Sequence, residues 1–109
     1  MRLTAKFWVS AYLARLRLAD IPAFVVAHGD DTAGAVLVKL NTLNGQAQAF
    51  QRQFDMATDT RHWITLASGP EPEVDAAINR QRGFDSDLWV IEVEDRDGRH
   101  LLEEPGLSE

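Results

Sequence analysis

The chain has 109 residues, 45% of them hydrophobic and 26% charged, a composition typical of one globular domain and not of a disordered segment. It contains no cysteine, which excludes disulfide bonds and thiolate metal sites, and its net charge of −6 argues against indiscriminate binding to nucleic acid. We therefore predict that residues 1–109 form a single domain of a cytoplasmic protein.

The first predicted element is an amphipathic helix over about residues 5–19. Thr4 is its expected N-cap, and the run Asp20-Ile21-Pro22 ends it. Arg15 projects onto the apolar face of this helix and therefore needs a partner. Basic and polar residues interrupt the segment, which excludes a signal peptide, and no apolar run reaches the roughly 18 residues needed to span a bilayer.

Two apolar runs follow, Ala23 to His28 and Ala35 to Leu40, and both alternate as strands do. The loop between them is short and rich in Gly and Asp, so the two strands are predicted to pair as a hairpin. Asn44-Gly45 is the strongest hairpin signal in the chain. It leads into a Gln-rich strand, Gln46 to Phe54, which we expect near a sheet edge, and His62 to Ala67 is predicted as a fourth strand.

A second helix is predicted after Ser68-Gly69-Pro70, with Gly83 just beyond its end. Leu88 to Glu94 is a further predicted strand, 99–102 a short returning strand, and 103–109 a frayed tail. The predicted fold is α+β, in the order α-β-β-β-β-α-β(-β), with two helices on one face of a mainly antiparallel sheet of about five strands.

Three segments carry a resemblance to a known family. They are FWVSAYLARL in the first helix, PAFVVAHGDDTAGAVLVKLN in the first two strands and INRQRGFDSDLWVIEVEDRDGRHLL near the end. Together they resemble a family of short, uncharacterised alphaproteobacterial proteins, domain of unknown function 1491. The resemblance covers nearly the whole chain and is weakest from Gln46 to Ala67. It implies a bacterial, cytoplasmic protein, and it implies no activity or catalytic residue.

Charge is unevenly distributed along the chain. Residues 1–17 carry four basic side chains and no acid, whereas residues 85–109 carry nine acids and two arginines. The two ends can dock on each other, or each can face a partner.

The titratable residues suggest few chemical sites. His28, His62 and His100 show no metal-ligand spacing, so we predict no metal and no cofactor. His28 beside Asp30 and Asp31 can form a His–carboxylate set, or the aspartates can bind the amides of the turn.

The acidic strand and the basic helix end supply the candidate binding residues. Glu92, Glu94 and Asp95 can bind a divalent cation, or they can pair with arginines, which we favour. Two arginines at the end of the second helix can hold an anion, although helix ends attract arginine without any ligand. The candidate set contains six residues, and no catalytic residue can be named: Arg15, Arg80, Arg82, Asp85, Asp87 and Glu92.

These observations favour a non-catalytic binding or protein-interaction module over an enzyme. The chain lacks a phosphate-binding glycine loop and a nucleophile elbow. An exposed sheet edge or the segregated charge would contact the partner, and a homodimer formed by strand pairing is possible. The alternative is a small enzyme or ligand-binding protein with a polar pocket made by Arg15, Arg80, Asp85 and Glu92. A weaker third hypothesis is nucleic-acid binding through the basic first helix.

Overall fold

The computed structural model describes residues 3–108, with only the backbone of Phe54. The order of elements is α1 (Ala5–Leu18), β1 (Ala23–Ala27), β2 (Val36–Asn41), β3 (Gln46–Asp55), β4 (Thr60–Pro70), α2 (Glu71–Phe84) and β5 (Trp89–Glu94). The predicted α+β class and the order of its helices and strands are confirmed. Predictions that involve Met1, Arg2 or Glu109 lie outside the described residues.

The five strands form one mixed sheet in the order β1-β5-β2-β3-β4. β2 and β5 run parallel, and the other neighbouring pairs are antiparallel. The predicted β1–β2 hairpin is wrong, because β5 lies between these two strands. The turn after β1 instead crosses the start of β5, where Asp30 N donates to Asp87 O at 3.0 Å and Trp89 N donates to Ala35 O at 2.8 Å. β5 buries Trp89 and Ile91 on one face and Val90 on the other, which suits a central position.

The two helices cover opposite faces of the sheet, so the prediction that both lie on one face is wrong. α1 packs Trp8, Tyr12 and Leu16 against alternate residues of β2 and β5. α2 packs Val74 and Ile78 against the residues between them, such as Leu37 and Val90. The α1 faces of β2 and β5 are apolar throughout, and their α2 faces carry the apolar residues Leu37 and Val90, so each face needs its own cover.

Local signals place most element boundaries. The side chain of Thr4 caps α1 by accepting a hydrogen bond from Phe7 N at 3.2 Å. Gly45, with a φ of 86°, lies in the turn that joins β2 and β3. β3 is an internal strand, and the edge on this side is β4, which continues through Ser68-Gly69 to Pro70. α2 continues past Gly83 to Phe84.

The residues after β5 form turns that pack across the α1 face. The predicted short strand over 99–102 is absent from the described secondary structure. The predicted frayed tail is wrong for 103–108, because Leu107 is only 2% exposed and belongs to the α1-face core. Trp63 Nε1 donates to Leu107 O at 2.9 Å, and Tyr12 Oη donates to His100 O at 2.8 Å. We call residues 100–108 the C-terminal strap.

No described helix is both long enough and apolar enough to cross a membrane.

Candidate functional site

The exposed edge strand β1 is the candidate functional site. It consists of five apolar residues, AFVVA, and pairs only with β5 among the described strands. Phe24, Val25 and Val26 are 46%, 40% and 48% exposed. An edge strand presents backbone N–H and C=O groups, and natural edges usually carry charged residues that discourage pairing with other chains. No charge interrupts β1, its central side chains are exposed, and no described strand pairs with the side of β1 that faces away from β5.

Both ends of β1 are structurally defined. Pro22 precedes the strand and cannot donate a backbone hydrogen bond. The register with β5 shifts between Val25 and Ala27, which is a bulge that limits the length of the regular edge. After the strand, Gly29 lies so close to β5 that a Cβ would clash with the Asp87 carbonyl and the Trp89 ring.

The predicted His–carboxylate set at the end of β1 does form contacts. His28 Nε2 lies 2.6 Å from Asp31 Oδ1, and its ring centroid is 4.0 Å from that of Trp89. The Asp30 carboxylate accepts hydrogen bonds from Thr32 N and Ala33 N, at 3.1 and 2.8 Å. Asp30 therefore stabilises the turn, as the structural alternative predicted, and His28 and Asp31 form an exposed pair.

A cleft of about 470 Å³ separates the end of β1 from the end of α2. Its lining includes His28, Arg82 and Asp85. Asp85 is already bound within its turn, since its Oδ1 accepts from Asp87 N at 2.9 Å. The cleft begins at Ala27, the last residue of β1, so polar side chains lie beside this end of the edge strand.

The six predicted binding residues do not form one pocket. Arg15 lies on the α1 side, where it donates to Glu104 Oε1 at 3.0 Å and to Pro105 O at 2.9 Å. Glu92 lies on the α2 side, in contact with Lys39. The predicted pocket of Arg15, Arg80, Asp85 and Glu92 is therefore wrong, although Arg82 and Asp85 share the cleft. Arg15 does have a carboxylate partner, but this partner is Glu104 and not one of the predicted residues Glu92, Glu94 and Asp95.

A buried lysine was not predicted to matter, yet it organises the acidic residues on the α2 face. Lys39 is 5% exposed, and its Nζ lies 2.7 Å from Glu71 Oε2, 2.7 Å from Asp75 Oδ1 and 3.6 Å from Glu92 Oε1. Asn41 Nδ2 also donates to Glu71 at 3.0 Å. The sequence signal was a lysine within the apolar run VLVKL, which implies a buried charge that needs counter-ions.

The protonation of Lys39 follows from these contacts. Burial lowers the pKa of Lys39, but hydrogen bonds to Asp75 and Glu71 and the charge of Glu92 outweigh burial and raise this pKa to about 12. A lysine nucleophile needs a lowered pKa, so Lys39 is a structural cation.

Asp95, which directly follows β5, pairs with an arginine, the kind of partner predicted for the carboxylates of this segment. Asp95 accepts hydrogen bonds from Arg99 N at 2.7 Å and Arg99 Nη2 at 2.9 Å, and these bonds to Arg99 hold the pKa of Asp95 below its usual value. Within residues 3–108, no group of three His, Asp or Glu side chains is arranged to hold a metal ion.

The fold and the site define a class of small α+β protein, with a mixed five-stranded sheet, one helix on each face and an accessible apolar edge strand. Residues 3–103 match the model of a protein family of unknown function, DUF1491. The chain belongs to this family, and the predicted resemblance is confirmed. No curated protein matches the chain.

Solved structures of similar proteins have the same fold. A crystal structure of a DUF1491 family protein from Caulobacter crescentus CB15 is 40% identical, with a TM-score of 0.85, covering 95% of this chain and 98% of that one. An NMR structure of a DUF1491 family protein from the same bacterium is 41% identical, with a TM-score of 0.84 and 96% of each chain covered. A solution structure of a protein from A. tumefaciens is 32% identical, with a TM-score of 0.73 and 86% of each chain covered.

Proposed function

We propose that this protein is a non-catalytic interaction module that binds an extended segment of another polypeptide along the edge of β1. The observation that carries the proposal is the apolar, uncharged edge strand, whose three central side chains are 40% to 48% exposed. In β-strand addition, backbone hydrogen bonds supply affinity and alternate side chains supply specificity.

The chemistry of the edge favours a partner with apolar residues between basic ones. Both copies of a homodimer would carry the net charge of −6 and would repel each other. A strand flanked by lysine or arginine avoids this repulsion and is attracted to the acidic chain, so we favour such a segment over a second copy.

The direct test is titration with a synthetic peptide, Lys-Lys-Thr-Val-Thr-Val-Thr-Lys-Lys, followed by NMR of the protein amides. We expect shifts concentrated in residues 23–27 and in β5. The same peptide with Glu in place of Lys serves as the charge control and should bind at least fivefold more weakly.

Matched substitutions locate the contact. Phe24→Thr should weaken peptide binding at least fivefold, because it removes the exposed ring from β1. Phe7→Thr removes another exposed phenylalanine, one that lies in α1, and should leave binding within twofold. Equal effects of the two substitutions, or shifts outside β1 and β5, would refute the proposed edge.

Light scattering tests whether a second copy of the chain occupies the edge of β1 instead. We expect a mass near 12.2 kDa without peptide. A stable mass of twice that value, reduced by Phe24→Thr, would assign the edge to a second copy instead. The cytoplasmic location stays a prediction, which cell fractionation can check.

A further inference from the structure

The outward face of α1, on the side of the helix away from the sheet, is a second surface feature. Whereas Trp8, Tyr12 and Leu16 pack against the sheet, Phe7 is 60% exposed and Leu18 is 87% exposed. The outward face of a surface helix usually carries charged and polar residues. We propose that this face of α1 binds an amphipathic helix of another protein, whose apolar stripe is flanked by acidic residues. The proposal is independent of the function proposed for β1.

The helical period places the exposed apolar residues of α1 in one stripe. At about 100° per residue, Phe7, Ala14 and Leu18 lie within about 40° of one another. Ser10 lies beside them, and all four residues are exposed. We call these four residues the α1 outer stripe. They are spaced three and four residues apart, which is the spacing by which one helix packs against another.

The side-chain sizes in the α1 outer stripe suit a partner helix. Phe7 and Leu18 are large and stand about 16 Å apart along the helix axis. Ser10 and Ala14, which lie between them, are small. Because the distance between two packed helices depends on the side chains at the contact, small residues at the centre allow a close approach. The partner helix would therefore place its large apolar residues over Ser10 and Ala14.

The charges beside the α1 outer stripe favour acidic residues in the partner. Lys6 and Arg17 are exposed on the same flank of the stripe, and neither forms an ion pair with another described residue. α1 contains no acidic residue. Charged residues beside the apolar seam of a helix pair determine which partner and which orientation are stable. Glu or Asp beside the apolar stripe of the partner would therefore pair with Lys6 and Arg17.

A second copy of the chain and an anionic membrane fit this surface less well. A second α1 would bring another Lys6 and Arg17 and no acidic residue to pair with them. Each copy would also carry the net charge of −6. The same net charge opposes the approach of the chain to a membrane of anionic lipids. An acidic helix gains from the local positive charge of α1, so we favour this partner.

The test is titration of the full chain with a synthetic helical peptide, followed by NMR of the protein amides. The peptide is Ala-Ala-Gln-Glu-Leu-Glu-Ala-Leu-Leu-Ala-Glu-Leu-Glu-Gln-Glu-Ala, which has one leucine stripe with Glu on both sides. We expect shifts concentrated in residues 5–18. The contact is smaller than a standard protein interface, so we expect weak binding, which NMR can measure. The same peptide with Lys in place of Glu should bind at least fivefold more weakly.

Matched substitutions locate the contact on the α1 outer stripe. Phe7→Ala and Leu18→Ala should each weaken peptide binding at least fivefold, and both variants should fold because these side chains are exposed. Phe84→Ala removes another exposed phenylalanine, at the end of α2, and should leave binding within twofold. Lys6→Gln combined with Arg17→Gln should remove the preference for the Glu peptide over the Lys peptide.

Several outcomes would overturn the proposal. They are equal binding of the Glu and Lys peptides, shifts outside α1, and equal effects of Phe7→Ala and Phe84→Ala. Light scattering and sedimentation with vesicles of phosphatidylcholine and phosphatidylglycerol test the other occupants. A dimer that Leu18→Ala dissociates would assign the stripe to a second copy. Binding to vesicles without binding to the peptide would assign it to a membrane surface.

Discussion

Lys39 shows how one buried charge determines the positions of several acidic side chains. Its ammonium group contacts Glu71 and Asp75 of α2 and Glu92 of β5, so it joins the helix to the centre of the sheet. A buried cation without its counter-ions is costly, and three carboxylates without the cation repel one another. Lys39 therefore stabilises the position of α2, and the acidic residues around it serve the scaffold.

We predict that Lys39→Met lowers the free energy of unfolding by about 2 kcal/mol at pH 7, because the partly exposed carboxylates lose their common partner. Lys6→Met removes an exposed lysine of α1 and should change stability by less than about 0.5 kcal/mol. Urea denaturation measures both. If Lys39→Met lowers the free energy of unfolding no more than Lys6→Met does, the three ion pairs of Lys39 contribute little to stability.

The same contacts predict a dependence on alkaline pH. The folded pKa of Lys39 is about 12, above its ordinary value of 10.5, so the folded chain holds this proton more tightly. The resulting stabilisation, about 2 kcal/mol, is complete below pH 10.5 and is lost as the pH rises through 12. Between pH 9 and pH 12, the stability gap between the unaltered chain and Lys39→Met should therefore narrow. A constant gap would contradict this linkage.

At the scale of elements, the C-terminal strap consists of turns, where the sequence predicted a short strand, and these turns complete the core on the α1 face. Leu102 and Leu107 fill space on the α1 face, and the backbone accepts bonds from Trp63, Tyr12 and Arg15. The strap therefore anchors α1 and the edge strand β4 to each other.

Leu107→Ala should destabilise the fold by about 2 to 4 kcal/mol, since it removes a side chain that is 2% exposed and leaves a cavity. Leu18→Ala is the matched control, because Leu18 is 87% exposed and its replacement should cost less than about 0.5 kcal/mol. Thermal or urea unfolding of both variants provides the measurement. Equal stabilities would mean that the strap does not contribute to the core.

For the whole molecule, the central position of β5 makes the fold depend on contacts between distant parts of the chain. β5 pairs with β1 on one side and with β2 on the other, although more than forty residues separate it from both. Without β5, neither face has a continuous apolar surface for its helix.

We therefore predict that a fragment of residues 1–84 does not fold. Circular dichroism should show little helix and no cooperative thermal transition, because the fragment lacks the strand that joins β1 to β2. Adding a synthetic peptide of residues 85–109 should restore part of the helical signal. A cooperative transition in the fragment alone would place the stable core in β2–β4 and α2.

The two helices and the five strands were predictable from the sequence, because their signals are local. Thr4, the Asn44-Gly45 turn and the alternation of residues 88–94 each depend on neighbours within a few residues. The family resemblance was equally accessible from short segments. The predicted edge strand, Gln46 to Phe54, is internal in the sheet, and the accessible edge β1 was not predicted.

The strand pairing, the face that each helix covers and the acidic partners of Lys39 were not predictable from local sequence patterns. A short loop favours a hairpin, yet β1 and β2 instead enclose β5, which has buried apolar residues on both faces. Similarly, the partners of Glu92 and Arg15 come from segments far away in the chain, Lys39 and Glu104. Long-range pairing depends on the sum of burial over the whole sheet, and no local pattern of residues records that sum.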